Sequence, residues 1–467
     1  MYHEPWRDEA QVWLIVRDLN LSGVFSKLSV QGHLCLWYLI LFPFVKLGFP
    51  YISMQIIHWL ISIVTASIFL LKAPINRILK VVFIFSYYMV FEYGVIASDY
   101  ILTILFLFLI ATYYKSRFTN PKRHAFFIFL LFNSHILGFG AALALTIIYL
   151  FELQRNKLLD GKKIAMLILV CGFIGTILQL LPHAGYATDA TIPPTYFPTL
   201  SSASAWTVLT SIQNAFIPIS NNFEEIKIPL FFFLGLSVFF LSLIRRISVL
   251  VFLFIASLWI YYVFITKVSG YWRYDGLLLI FILFSLWIKE HYSDGETWIS
   301  RKIGRYINSS ILGTFFNTFL ILCLIVNSIF GMNSLRKEYL YSYSGAKELK
   351  TFINQHNLQN EEIACNQCWS VSLAPYLPKT KFWAVNIKKY ETYMITDSVY
   401  LKSAAISSEE VLQRVKEKYG KQGLLLTSEP LPIESSSGLE INLLFQNERL
   451  TWKDNGENYF LYKITFI

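Results

Sequence analysis

Tyr51-Ile52-Ser53-Met54-Gln55-Ile56-Ile57-His58-Trp59-Leu60-Ile61-Ser62-Ile63-Val64-Thr65-Ala66-Ser67-Ile68-Phe69-Leu70-Leu71 runs without one Asp, Glu, Lys or Arg. A helix needs roughly 17–25 mainly apolar residues to cross a bilayer, and this stretch supplies them in one piece. Outward from it, stretches of similar character stand at Ile78–Ile96, Tyr100–Tyr114, Ile136–Phe151, Ile164–Leu181, Ile228–Leu243, Ile247–Ile265, Gly276–Trp287 and Ile311–Phe330. Leu34–Leu47, closed by Gly48-Phe49-Pro50, and Ala125–Phe132, closed by Asn133-Ser134-His135, are short enough to dip into the membrane without crossing it. With 55% of the chain hydrophobic and only 15% charged, a set of soluble domains is excluded. The expected fold class is a membrane all-α protein, a polytopic helical bundle of about ten spans with a small C-terminal α/β soluble domain. Residues 1–50 form an N-terminal segment of interfacial or re-entrant helices, 51–330 the transmembrane bundle and 331–467 the C-terminal domain.

The net charge of +10 is carried between spans in short clusters such as Lys115, Arg117, Lys122 and Arg123. That placement fits anchoring at a membrane surface and excludes a nucleic-acid partner. Lys and Arg beside spans stay in the cytoplasm. The clusters at Lys72/Arg77/Lys80, Lys115–Arg123, Arg155/Lys157/Lys162/Lys163, Arg245/Arg246 and Lys289/Arg301/Lys302/Arg305 share one side only if Ala125–Phe132 crosses and Leu34–Leu47 does not. The N-terminal segment, the turn at Ser98-Asp99-Tyr100, the turn at His135, the loop Pro182–Lys227, the loop Thr266–Asp275 and the C-terminal domain then all face outward. A multi-pass cell-membrane protein with its polar chemistry on the extracytoplasmic face is expected.

Met1 to Arg17 opens on His3, Glu4, Arg7, Asp8 and Glu9 and does not read as a cleavable signal, so the first spanning helix is expected to direct insertion. Beyond Phe330 charge rises, and helix-like Gly345–His356 and Ser407–Tyr419 alternate with strand-like Glu362–Ala364, Gly423–Leu426 and Asn458–Ile464. Cys365 and Cys368 make a lone CxxC, which reads as two ordinary thiols or one local disulfide, since a structural metal usually takes four ligands.

His3-Glu4-Pro5-Trp6-Arg7-Asp8-Glu9-Ala10-Gln11 reads as the start of a helix lying on the membrane, with Pro5 at its beginning and aromatics at interfacial spacing. Asp8 and Glu9 then sit at the bilayer surface, where a lipid-linked substrate presents its head group. Acids this early in a helix also complement its dipole. The string Glu4–Gln11, followed by Gly32-His33-Leu34-Cys35-Leu36-Trp37-Tyr38, resembles the GT-C superfamily of membrane glycosyltransferases, in particular the protein O-mannosyltransferase and aminoarabinose transferase-like group. Those proteins carry an Asp-Glu pair in the first extracytoplasmic loop and then a Gly-His-Pro-Pro-Leu-Tyr-Tyr-like stretch. Here Leu34 and Cys35 stand for the prolines, Gln31 precedes Gly32, and the spanning helix that normally precedes the acidic pair is absent. An added first helix would bring the expected crossings to about eleven, with a cytoplasmic N-terminus.

The resemblance implies an inverting glycosyltransferase that takes a sugar from a polyprenyl-phosphate carrier and passes it to a lipid, glycan or protein acceptor outside the cytoplasm. Such chemistry needs a base for the acceptor hydroxyl and positive charge for the departing phosphate. Asp8 matches the first acid of the pair and is the expected base; Glu9 orients it, binds a sugar hydroxyl or helps hold a divalent cation. Arg273, in Gly270-Tyr271-Trp272-Arg273-Tyr274-Asp275-Gly276, is the expected phosphate ligand, or else an interfacial anchor beside Trp272 and Tyr274. His33 matches the Gly-His step and positions its loop or touches phosphate. Asp99 lies on the same side as Asp8 and reads as a ligand for sugar or metal, whereas Glu92, about two turns deeper, pairs internally. His58, His135 and His183 read as simple polar contacts, and no histidine–carboxylate spacing marks a strong metal site. The competing readings are a transporter or flippase of a lipid-linked substrate, with key charges near the midplane, and a nonenzymatic membrane assembly protein.

Overall fold

A computed structural model describes residues 3–31, 33–159, 161–181, 201–219, 227–266, 272–293, 308–365, 370–390, 392–394, 406–432, 438–447 and 457–467. Five helices among them are long and apolar enough to cross a membrane: Ile52–Lys72, Ile136–Arg155, Lys163–Leu180, Ile247–Thr266 and Ser309–Leu340. They mark a membrane protein, mostly helical, with a small sheet in its C-terminal region. In chain order the helices are α1 (Arg7–Asp18), α2 (Leu21–Gln31), α3 (Cys35–Lys46), α4 (Ile52–Lys72), α5 (Arg77–Ile84), α6 (Tyr100–Thr112), α7 (Pro121–Phe132), α8 (Phe139–Arg155), α9 (Lys163–Leu180), α10 (Ser202–Phe216), α11 (Lys227–Ser242), α12 (Ile247–Thr266), α13 (Trp272–Ile288) and α14 (Ser309–Leu340).

Several expected spans take other forms. Ile78–Ile96 is not one helix: α5 stops at Ile84 and a π-helical turn covers Tyr88–Glu92. A side chain from α14 makes the break tolerable, because Asn327 Oδ1 accepts from Tyr87 N at 2.7 Å while its amide donates to the Phe216 carbonyl at 2.8 Å. Insertion of a polar side chain is one of the few causes of a sharp helix break. The stretches Leu34–Leu47 and Ala125–Phe132 become the 12-residue helices α3 and α7, each shorter than a crossing. The loop expected over Pro182–Lys227 contains α10, whose start Ser201 caps by accepting from Ser204 N at 3.1 Å; His183 lies outside the described residues.

At the centre is α13, apolar all round and buried at every position from Asp275 to Ile288, as a helix without a polar face must be. Gly276 lets it approach the π-helical turn: a Cβ there would lie 2.3 Å from Tyr88 Cδ1 and 2.5 Å from Tyr93 Oη. Gly140 of α8 does the same for Trp259 of α12, whose indole donates to the Ile136 carbonyl at 2.8 Å.

The last long helix, α14, continues ten residues past Phe330, where charge first rises, and delivers the chain to α15 (Ala346–Gln355) and α16 (Ser408–Tyr419). These flank six strands, β1 (Glu362–Cys365), β2 (Lys381–Ala384), β3 (Lys389–Tyr390), β4 (Gln422–Thr427), β5 (Leu439–Gln446) and β6 (Phe460–Phe466), ordered β3-β2-β1-β4-β6-β5. β1 pairs in parallel with β2 and β4, and the outer pairings are antiparallel. Cys365 is buried at the end of β1, and Cys368 lies outside the described residues.

The N-terminal helix differs from the expected surface helix. All residues from Glu9 to Val16 are buried, because α1 packs against α2 and α3 and is also met by the C-terminal region. Gln11 exchanges two hydrogen bonds with the Met394 backbone at 2.8 and 2.9 Å, Arg7 N donates to Glu457 at 2.7 Å, and Glu4 accepts from Lys347 N. Tyr51 at the start of α4 meets Tyr376 edge-on at 5.3 Å.

Candidate functional site

Trp6 occupies the N-cap of α1 with an extended backbone, and Glu9 reaches back from the first turn to accept from Trp6 N at 3.1 Å. The same carboxylate accepts from Ala97 N at 2.7 Å and from His3 Nε2 at 2.9 Å. Glu9 therefore clamps the 94–99 turn to α1, and three of the roughly four acceptor positions of its carboxylate are committed to the fold. Asp8, one residue earlier, turns the other way and leaves half of its side chain exposed.

His3 is held on both ring nitrogens, since Nδ1 meets Glu338 of α14 at 2.9 Å. Carboxylates only accept, so both nitrogens donate and the ring is an imidazolium. Burial lowers its pKa, but the charges of Glu9 and Glu338 and the hydrogen bonds to them outweigh burial and raise it to about 10.

The turn before α6 and the start of α13 complete the site. Trp6, Asp8, Glu9, Val12, His33, Trp37, the 96–100 backbone turn, Arg273 and Tyr274 line a small pocket of about 40 Å³. Asp8, Glu9, His33, Asp99 and Arg273, the five residues singled out from the sequence, all line it. Arg273 is 8% exposed on its side chain; Nη1 stands 3.7 Å from Asp8 Oδ2 and Nε 3.6 Å from Glu92 Oε2. Its guanidinium carbon lies 4.8 Å from the centroid of the Trp6 ring. Glu92 in turn accepts from Tyr87 Oη, and Tyr93 Oη donates to the Arg273 carbonyl at 2.6 Å. The π-helical turn thus fixes Arg273 from behind, and Glu92 pairs internally with the pocket's own cation.

Asp99 is fully buried. Its Oδ2 accepts from His33 Nδ1 at 3.1 Å and its Oδ1 from Ser98 Oγ at 3.2 Å, while His135 Nε2 stands 3.9 Å from Oδ1. His135 went unrecognised as part of a site because nothing in its local sequence connects it to positions 33 and 99; its one signal is the polar break it occupies between two apolar stretches.

His33, Asp99 and His135 bring their ligand-type atoms within 4.8 Å of one another. The hydrogen bonding does not fit a metal, however. His135 Nδ1 accepts from Leu137 N at 3.0 Å, which spends the lone pair of a neutral imidazole and leaves the proton on Nε2, facing Asp99. Burial pushes the His135 pKa down to about 4, so the ring is neutral near pH 7. His33 Nδ1 is likewise a donor. The trio is a hydrogen-bonded cluster built around one carboxylate.

Chemically, the pocket offers a carboxylate open to solvent, a guanidinium held in place by aromatic and acidic neighbours, and a histidine backed by a buried acid. No family model matches the chain, and no curated protein matches it.

Proposed function

We propose that this protein is an inverting glycosyltransferase of GT-C type that uses a polyprenyl-phosphate-linked sugar. The observation that carries the reading is the meeting of Asp8 and Arg273 at 3.7 Å in one pocket, although they come from α1 and α13. A phosphodiester head group entering there takes two oxygens onto the planar guanidinium. That contact draws Arg273 away from Asp8 and frees the carboxylate.

The acceptor oxygen then attacks the anomeric carbon on the face opposite the phosphate and gives its proton to Asp8. The bond from the anomeric carbon to the phosphate oxygen breaks, its electron pair stays on the phosphate, and Arg273 balances the charge. Asp8 is the catalytic base and Arg273 the phosphate ligand; Glu9 and Glu92 are positioning residues. The acceptor is a lipid, glycan or protein. In a bundle of about ten spans, with α7 and the turn after it counted as one crossing, the positive-inside distribution favours a pocket that opens on the extracytoplasmic face, under the C-terminal domain.

Purified protein in lipid nanodiscs with a radiolabelled polyprenyl-phosphate sugar tests this. The Asp8→Asn variant should lose about a hundredfold to ten-thousandfold in turnover while still binding a polyprenyl phosphodiester. Full turnover in that variant at saturating donor and acceptor would refute the assignment.

A further inference from the structure

Arg273 is one cation for a ligand that carries its charge on several oxygens, and three acids, Asp8, Glu9 and Asp99, line the same pocket. Glu9 is balanced by His3 at 2.9 Å. Asp8 and Glu92 both face Arg273, so the guanidinium alone leaves the pocket short of positive charge for a phosphate. His33 is the remaining ionisable base on the pocket wall among the described residues. Its side chain is 26% exposed, against none for Asp99 behind it, so the ring stands between a buried carboxylate and the open pocket.

We infer that His33, seated on Asp99, is a second anion-binding group of the pocket and receives a phosphate oxygen of the donor opposite Arg273, with His135 positioning Asp99. The inference rests on the glycosyltransferase reading only for the identity of the phosphate.

The geometry assigns each part. Nδ1 of His33 is occupied by Asp99 at 3.1 Å, which leaves Nε2 as the nitrogen available to a ligand. Asp99 cannot turn toward the ligand itself: His33 and Ser98 hold its two oxygens, and the neutral His135 closes the far side with an Nε2–H. Asp99 is therefore a positioning residue, and so is His135, fixed in its tautomer by Leu137 N.

The groups facing His33 come from four elements. They are Asp8 on α1, Asp99 and Tyr100 at the start of α6, His135 before α8, and Arg273 and Tyr274 on α13. Burial lowers the His33 pKa; the Asp99 charge and hydrogen bond, with help from Asp8, outweigh burial and the opposing Arg273, so the net shift is upward. A raised histidine pKa means that the imidazolium is present on the acid side and lost as pH rises. Phosphate binding should follow it and weaken with rising pH.

The test is binding of methyl farnesyl phosphate to the full chain in nanodiscs from acid to mildly alkaline pH. This probe is a diester, so its own charge does not titrate through the range. Histidine-labelled protein followed by NMR reports the His33 titration directly, with His33→Gln to assign the signal.

Wild-type affinity should fall by about tenfold or more as His33 loses its proton, the size of one charge-assisted hydrogen bond. His33→Gln should bind about tenfold more weakly at low pH and show a flat profile. In Asp99→Asn both the fall and the NMR titration should move to lower pH. Asp8→Asn should keep the fall, which separates the part of His33 from that of Asp8.

Equal affinity and equal pH dependence in wild type and His33→Gln, with binding still lost in Arg273→Ala, would overturn the His33 assignment and leave the glycosyltransferase reading standing. Failure of the wild type to bind the phosphodiester at any pH would remove both.

Discussion

At the scale of the residue, Asp8 and Glu9 are neighbours in sequence and opposites in surroundings. Asp8 keeps half of its side chain in the open, whereas Glu9 is sealed against Trp6 N, Ala97 N and His3. Replacing Glu9 by Gln leaves the His3 imidazolium buried with one carboxylate gone. Breaking a buried pair from one side typically costs about 3–5 kcal/mol, so Glu9→Gln should lower the midpoint of thermal unfolding clearly while Asp8→Asn stays near wild type. Equal midpoints for the two variants would show that Glu9 does not clamp the turn. For Arg273 the decisive change is to Lys, which keeps the charge and removes the planar fork. Loss of one charged hydrogen bond is worth about 1.5–3 kcal/mol, so donor affinity in Arg273→Lys should fall about tenfold to a hundredfold, measured by titration with the phosphodiester; unchanged affinity would reduce Arg273 to an anchor. The acidic pair and the Gly-His step are singled out in the sequence by resemblance to a motif, and Arg273 by its place at the mouth of an apolar stretch; the structure brings Asp8, Glu9, His33 and Arg273 to one pocket. His135 was not legible, since its partnership with Asp99 is a product of tertiary packing that no spacing announces.

At the scale of the element, the pocket depends on a break. The apolar stretch Ile78–Ile96 has the composition of one span and is legible as membrane-embedded, yet composition carries no trace of Asn327, whose side chain accepts the backbone N–H freed at Tyr87. The interruption turns Glu92 toward Arg273 and lets Tyr93 hold the Arg273 carbonyl. In the same way β1, β4 and β6 announce themselves by apolar and β-branched residues, while β3, of two residues, is too short to carry a period, and β2 and β5 do not stand out from the loops around them. Gly276 is where the break meets the central helix. An added methyl would collide with Tyr88 and Tyr93 at 2.3 and 2.5 Å, and overpacking of this kind costs about 1–3 kcal/mol. Gly276→Ala should therefore lower both thermal stability and donor affinity, because Tyr93, one of the two displaced tyrosines, also holds the Arg273 carbonyl. Gly313→Ala on α14, which meets nothing within 4 Å, is the matched control and should change neither.

At the scale of the whole molecule, the C-terminal region and the N-terminal segment are held together by groups that titrate. Burial raises the Glu4 pKa to about 7, even though Lys347 N–H and the Lys347 charge oppose it. An acid whose folded pKa is raised supports the fold on the acid side, and its contribution is lost as pH climbs from the unfolded value near 4.5 to about 7. His3 acts in the same direction but later: its contribution is complete below about 6.5 and disappears as pH passes its folded pKa of about 10. The thermal midpoint should therefore drop by on the order of a few degrees between mildly acid and alkaline pH, and Glu4→Gln should flatten the early part of that slope. A midpoint that rises with pH would contradict both assignments. The two flanks of the pocket also impose an order on biosynthesis. His3 reaches Glu338 across a sequence separation of 335 residues, and Arg7 N reaches Glu457 across 450. While the ribosome is still making the intervening helices, α1 can pack against α2 and α3 but lacks its partners Glu338 and Glu457. The contacts that fasten the N-terminal segment beside the pocket are consequently among the last to form, because Glu338 and Glu457 are made long after the residues that line it.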